Sequence, residues 1–130
     1  MATLIGIDYG HKKIGFATGQ TITASAAPLT IIAQNGEMWP AIDRIMQEWQ
    51  PDMVIIGEPK LADGKPHPLE KKIQRFITAI KQRYDVTVKR VDEAYTSFEA
   101  TRYQRGQGRQ SILDAHAAAI LLESWMRENS

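Results

Sequence analysis

The chain contains no cysteine. Disulfides and thiolate metal sites are thereby excluded, and a reducing cytoplasm is the compartment such a composition fits. It has almost no net charge: 16 Lys and Arg stand against 15 Asp and Glu, a formal +1. No chain-wide field exists to draw nucleic acid, so a basic surface has to be local. No apolar run approaches the ~20 residues of a membrane helix, and no membrane contact is expected. Met1-Ala2-Thr3 leads into a strand pattern without the charged and apolar regions of a signal peptide. Aromatic residues are few, 8% of the chain, and Trp39, Trp49 and Trp125 fall on helical stripes, which is the pattern of core packing rather than base stacking. Internal repeats, linkers and low-complexity segments are absent from the sequence. One domain spanning 1–130 is the natural division for this length, and a chain near this size buries roughly two-thirds of its unfolded surface.

What is present reads as alternating elements. Residues 3–9 form a strand, and the turn-like Gly10-His11-Lys12-Lys13 leads to a second at Ile14–Thr18. So short a connection permits only an antiparallel pair. A short third strand is expected at Leu29–Ile32, after Pro28, and Asn35-Gly36 breaks the chain. Trp39, Ile42, Ile45, Met46 and Trp49 recur at helical spacing until Pro51-Asp52. Met53–Gly57 is wholly apolar, as a parallel strand covered on both faces must be. The proline-containing segment Pro59–Pro68 reads as a loop. A second helix carries Leu69, Ile73, Phe76, Ile77, Ile80 and Tyr84 on one stripe and feeds a strand at Val86–Val91, which ends at Asp92-Glu93. Thr96-Ser97-Phe98-Glu99 has capping-box spacing and predicts a short helix, broken at Gly106 and Gly108. Ser111 opens a last helix reaching about Arg127. Three meandering strands followed by strand-and-crossover-helix units make an α/β layer fold with a mixed sheet and right-handed crossovers.

Three acids conflict with their surroundings. Asp8 lies in the apolar run Leu4-Ile5-Gly6-Ile7-Asp8-Tyr9-Gly10, sharing a strand face with Leu4 and Gly6. Aspartate is depleted in strands, and a carboxylate removed from water needs a partner or a metal. Gly6 and Gly10 bare the backbone beside it and admit a ligand. A turn aspartate bonded to the Gly10-His11 backbone fits the same residues. Glu93 follows the end of a strand, where ligands gather in open α/β sheets. It also fits a solvated loop acid near a helix start, and Asp92 is chemically equal to it. Asp114 falls at the start of a helix, where an acid is favoured for local reasons. It also shares a stripe with Ala118, Leu121 and Trp125, an inward face.

Were the three to converge, their oxygens would suit magnesium or manganese. Two such ions roughly 3.5–4 Å apart activate water and stabilise the leaving oxygen of a phosphodiester. Zinc does not compete, since His11, His67 and His116 show no ligand spacing. Arg102, Arg105 and Arg109 form an acid-free basic stretch suited to phosphate contacts, or simply an exposed loop, and Lys12 and Lys13 beside Asp8 extend the same chemistry.

Taken in order, Gly6-Ile7-Asp8-Tyr9-Gly10, Lys13-Ile14-Gly15, Pro28-Leu29, Pro51-Asp52, Ile55-Ile56-Gly57 with Pro59, Asp63-Gly64, Asp92-Glu93 with Thr96, and Asp114 before Ile120-Leu121-Leu122-Glu123-Ser124 resemble the YqgF (RuvX-like) family along essentially the whole chain. These are small relatives of the RuvC Holliday-junction resolvases. The resemblance implies an RNase H-like fold with a central five-stranded mixed sheet flanked by helices, first and fourth strands adjacent. It implies catalytic and metal-binding roles for Asp8, Glu93 and Asp114 in a two-metal site holding Mg²⁺ or Mn²⁺. The implied activity is nucleolytic maturation of the 5′ end of 16S ribosomal RNA precursor, in contact with ribosomal particles. Lys12, Lys13, Arg102, Arg105 and Arg109 are the nucleic-acid-binding candidates. Two departures stand out: Glu58 where the family has leucine after the glycine, and Ala94 where it has arginine after Asp-Glu. A resolvase of branched DNA, working as a homodimer, is the alternative with the same chemistry. A non-catalytic nucleic-acid or ribosome-binding module is the alternative of a different class.

Overall fold

Alternating hydrophobicity in β1 (Thr3–Tyr9) splits the molecule into two cores. Ile5, Ile7 and Tyr9 pack on one face of the sheet, while Leu4 packs on the other. The computed structural model describes residues 2–58, 68–92 and 110–129, the side chains of residues 58, 92 and 110–114 lying outside that description. β1 pairs antiparallel with β2 (Lys13–Gln20), with Asp8 opposite Gly15 and Tyr9 opposite Ile14. β3 (Ser25–Ala33) continues the meander and is longer than the Leu29–Ile32 strand expected from sequence. Pro28 obscures the pattern, yet on an edge strand its missing N–H is tolerated. A register shift between Phe16 and Ala17 takes up the irregularity opposite it.

α1 (Met38–Trp49) buries Ile42, Ile45 and Met46, and its Pro40 falls in the first turn, where backbone N–H groups have no intrahelical acceptor. β4 (Met53–Glu58) then enters parallel to β1, Leu4 beside Met53 and Ile7 beside Ile56. α2 (Glu70–Tyr84) crosses back, and β5 (Thr87–Asp92) pairs parallel with β4. α3 (Gln110–Glu128) closes the chain. The five strands lie in the order β3-β2-β1-β4-β5. First and fourth strands are thus neighbours, and the architecture is the expected RNase H-like one.

Both faces of the sheet are covered. Phe76, Ile73, Ile77 and Ile80 of α2 join the α1 side chains over Ile5, Ile7, Val54 and Ile56. Ala118, Ala119, Leu121, Leu122 and Met126 of α3 cover Leu4, Ala17 and Ile55. Trp39 stacks on Phe76 at 5.6 Å, and Trp49 and Trp125 pack against their respective cores, as their helical spacing requires. No helix among the described residues is long and apolar enough to cross a membrane. The expected capping-box helix at Thr96–Glu99 and most of the Pro59–Pro68 loop lie outside the described residues.

Candidate active site

Asp8 is half-buried near the carboxyl end of β1, on the face that α3 covers. That helix sits close because Gly6 has no side chain. A Cβ there would stand 2.5 Å from Leu122 Cγ and 2.8 Å from the Ala118 carbonyl oxygen. At Gly19, which pairs with Leu4, a Cβ would instead meet Leu122 Cδ1 at 3.2 Å and Met126 Cε at 3.3 Å. Ala118 therefore stands level with Gly6, Leu122 between Gly6 and Leu4, and Met126 level with Leu4, so α3 runs antiparallel to β1. Moving from Gly6 to Asp8 advances about 6.7 Å along a strand, and moving from Ala118 back to position 114 about 6 Å along a helix. The packing brings the helical position of Asp114 level with Asp8.

Among the described residues, the sheet positions beside Asp8 are glycines. Gly6 shares its face, Gly15 lies opposite it on β2, and Gly57 follows Ile56 on β4 one step past the Ile7 pairing. The ends of parallel strands are where ligands gather in open α/β sheets, and glycines beside a carboxylate let a ligand approach the backbone. β4 and β5 run in the same direction as β1, so their carboxyl ends reach the same end of the sheet. Along β5, Arg90 turns to α2, where its guanidinium donates to Glu70 at 2.8 Å and 2.9 Å, while Val91 packs on the α3 side. Glu93 itself, with Arg102, Arg105, Arg109 and Ala94, lies outside the described residues, as do the side chains of Asp114, Asp92 and Glu58. Among the described residues no group of three acids or histidines is placed to hold a metal. The donor chemistry nevertheless suits a hard cation: oxygen ligands, no sulfur, and a glycine floor.

Lys12 and Lys13 are exposed on the turn that follows Asp8. The turn is tied down from three directions. The Gly10 N–H donates to the Lys13 carbonyl at 2.9 Å, and the Gln34 N–H donates to the Lys12 carbonyl at 2.9 Å. The Gln34 side chain donates through Nε2 to the Gly10 carbonyl, and its Oε1 accepts from the Tyr9 hydroxyl at 3.2 Å. Gly10 is required for the tight closure, since a Cβ there would lie 2.5 Å from the Lys13 oxygen. Sequence patterning did not single out Gln34, whose partners lie 24 and 25 residues away.

A second polar cluster lies at the opposite end of the sheet, where α1 and α2 finish. Asp43 accepts a hydrogen bond from the Tyr84 hydroxyl and ion-pairs with Arg83 at 3.3 Å, and Arg83 lies 4.6 Å over the Trp39 ring. The Tyr84 hydrogen bond, more than Arg83, holds the Asp43 carboxyl below its usual range. Burial and Asp43 push the Tyr84 phenol up to about 12. These groups edge a cavity of about 590 Å³ with Gln47, Gln50 and Pro51. Asp43, Arg83 and Tyr84 are engaged with one another, and the strand ends that carry Asp8 point away from the cavity.

A family model described as RuvX: Holliday junction resolvase matches residues 2–128. The chain belongs to the RuvX family. Among RuvX-like relatives, a protein of Azotobacter vinelandii is 39% identical, over 96% of this chain and 93% of its own length. One from Pseudomonas putida is 38% identical, over 98% of this chain and 96% of its own. Both carry the name "Putative pre-16S rRNA nuclease". The RuvX chain also superposes on solved resolvases. RuvC of T. thermophilus in complex with Holliday junction substrate gives a TM-score of 0.62 at 14% identity, covering 99% of this chain and 96% of RuvC. The fowlpox virus resolvase with substrate Holliday junction DNA gives 0.58 at 13%, covering 98% of both chains. At such identities the likeness establishes the fold of this RuvX member. The enzyme class implied by the sequence, a nuclease, is the class its relatives are named for.

Proposed function

We propose that this chain is a divalent-metal-dependent nuclease that hydrolyses phosphodiester bonds in the 5′ region of 16S ribosomal RNA precursor. One observation carries the reading: Asp8 stands on a glycine floor at the carboxyl end of β1, with the start of α3 packed level with it. Asp8, Glu93 and Asp114 would be the ligands of two Mg²⁺ or Mn²⁺ ions. Such ions supply an activated water and charge stabilisation at the leaving oxygen. Asp8 holds its carboxylate where the bare backbone of β1, β2 and β4 lets a phosphodiester approach. Glu93 is preferred to Asp92 on alternation, since in sequence it stands two positions beyond Val91, while Asp92 stands two beyond Arg90. Lys12 and Lys13, with Arg102, Arg105 and Arg109, would hold the sugar-phosphate backbone. The curated relatives' names favour an RNA precursor over DNA, and for this chain a place in the cytoplasm, in contact with ribosomal particles, would go with that substrate.

Purified protein incubated with precursor RNA and Mg²⁺ or Mn²⁺ should cleave it, and chelation should stop the reaction. Asp8→Asn should reduce cleavage to background while circular dichroism stays unchanged. Undiminished cleavage by that variant would place the chemistry elsewhere. Glu93→Gln should match Asp8→Asn, whereas Asp92→Asn should retain most activity. The description of the family model favours one second reading, a resolvase of branched DNA. Preferential cutting of a four-way junction by a sedimenting dimer would establish it instead.

A further inference from the structure

We infer that Gln34 is a positioning residue for nucleic-acid binding: it holds the Gly10–Lys13 turn so that Lys12 and Lys13 face the sugar-phosphate backbone beside Asp8. The inference rests on the proposal that a nucleic acid occupies the Asp8 end of the sheet. Gln34 stands just past the end of β3, beyond the Ala33–Lys13 pair, and joins the third strand to the connection between the first two. Its amide nitrogen takes the Gly10 carbonyl and its backbone N–H takes the Lys12 carbonyl. The Lys13 carbonyl is taken by the Gly10 N–H.

Three carbonyl oxygens of the turn are thereby each engaged by an N–H donor. Each carries partial negative charge and would repel a phosphate if it pointed outward, whereas the lysine side chains of the same residues remain exposed. The clamp neutralises the turn's acceptors with N–H donors and leaves its two lysines exposed. It also reaches the residue next to Asp8. The Tyr9 hydroxyl donates to Gln34 Oε1, and the Tyr9 ring lies 5.1 Å from Phe76 in the α1–α2 core. The uncharged glutamine amide both donates to a carbonyl and accepts from a phenol. Glutamate keeps the acceptor and loses the donor.

A double-mutant cycle, read by fluorescence anisotropy of a labelled precursor RNA in EDTA, tests this without any cleavage. Gln34→Ala and Gln34→Glu should each weaken binding about five- to tenfold. Lys12→Ala/Lys13→Ala should weaken it comparably and flatten its salt dependence. Adding Gln34→Ala to the lysine pair should then produce little further loss, because the clamp acts through those lysines. Amide hydrogen exchange should quicken at Gly10, whose N–H closes the turn, in Gln34→Ala while the β1–β4 ladder keeps its protection. Wild-type affinity in Gln34→Ala, or losses that multiply in the combined variant, would overturn the inference. Cleavage by the wild type, compared with Asp8→Asn, decides the nuclease reading separately. Coupled binding without Asp8-dependent cleavage keeps the clamp and rejects the nuclease, and the reverse result rejects the clamp alone.

Discussion

Asp8 and Asp43 are carboxylates at opposite ends of one sheet, and their neighbours give them different work. Asp43 is occupied by Tyr84 and Arg83, a structural knot between α1 and α2. Asp8 faces glycines on its own and adjacent strands. The knot has a pH signature. The Tyr84 phenol is raised to about 12 from an ordinary 10, so the folded state keeps a proton that the unfolded chain has lost. Its contribution is complete below pH 10 and is lost as pH rises through about 12. The urea midpoint of wild type should exceed that of Tyr84→Phe at neutral pH, and the gap should narrow across that window. Asp43 titrates with the other sign: its contribution is present above the usual carboxylate range and lost as pH falls through the depressed value. Gly6 supplies a second residue-scale expectation. In Gly6→Ala the added Cβ meets the Ala118 carbonyl, which is backbone and yields little. Stability should fall by about 1–3 kcal/mol, measured by urea denaturation. Asp8 was legible in the sequence because a charge inside an apolar strand violates a local pattern. Gln34 was not, because a polar residue after a strand violates none.

Elements were legible where period and breakers agree. β4, an uninterrupted apolar run ending at Gly57, and α2, with its stripe from Leu69 to Tyr84, lie where the pattern puts them. β3 runs four residues earlier than Leu29, from Ser25, because its edge position tolerates a proline that sequence reading takes as a boundary. Helix ends show the same local logic. α1 and α2 both finish on a left-handed residue, Gln50 at φ 43° and Asp85 at φ 51°, each N–H returning to the carbonyl four residues earlier. Glycine adopts this conformation without a Cβ penalty. Gln50→Gly should raise stability by up to about 1 kcal/mol, seen as a higher midpoint with an unchanged urea slope.

At the scale of the whole molecule, the proposed metal site would tie the chemistry to stability. Ions that bind the folded chain and not the unfolded one stabilise it by mass action. Mn²⁺ at a hundredfold excess over its Kd should add about 2.7 kcal/mol to unfolding. Asp8→Asn should lose most of that gain, and thermal denaturation with and without the ion measures both. Equal stabilisation of wild type and Asp8→Asn would place the ion away from β1.

By itself the sequence determined the period of each element and the alternation that puts Leu4, Gly6 and Asp8 on one face. These are local properties, written in residues a few positions apart. Only the tertiary structure decided that α3 runs antiparallel to β1 over Gly6, bringing position 114 level with Asp8, and that Gln34 reaches back to the turn beside it. Those are long-range placements, and they follow from which faces pack and how closely, which spacing along a chain does not encode.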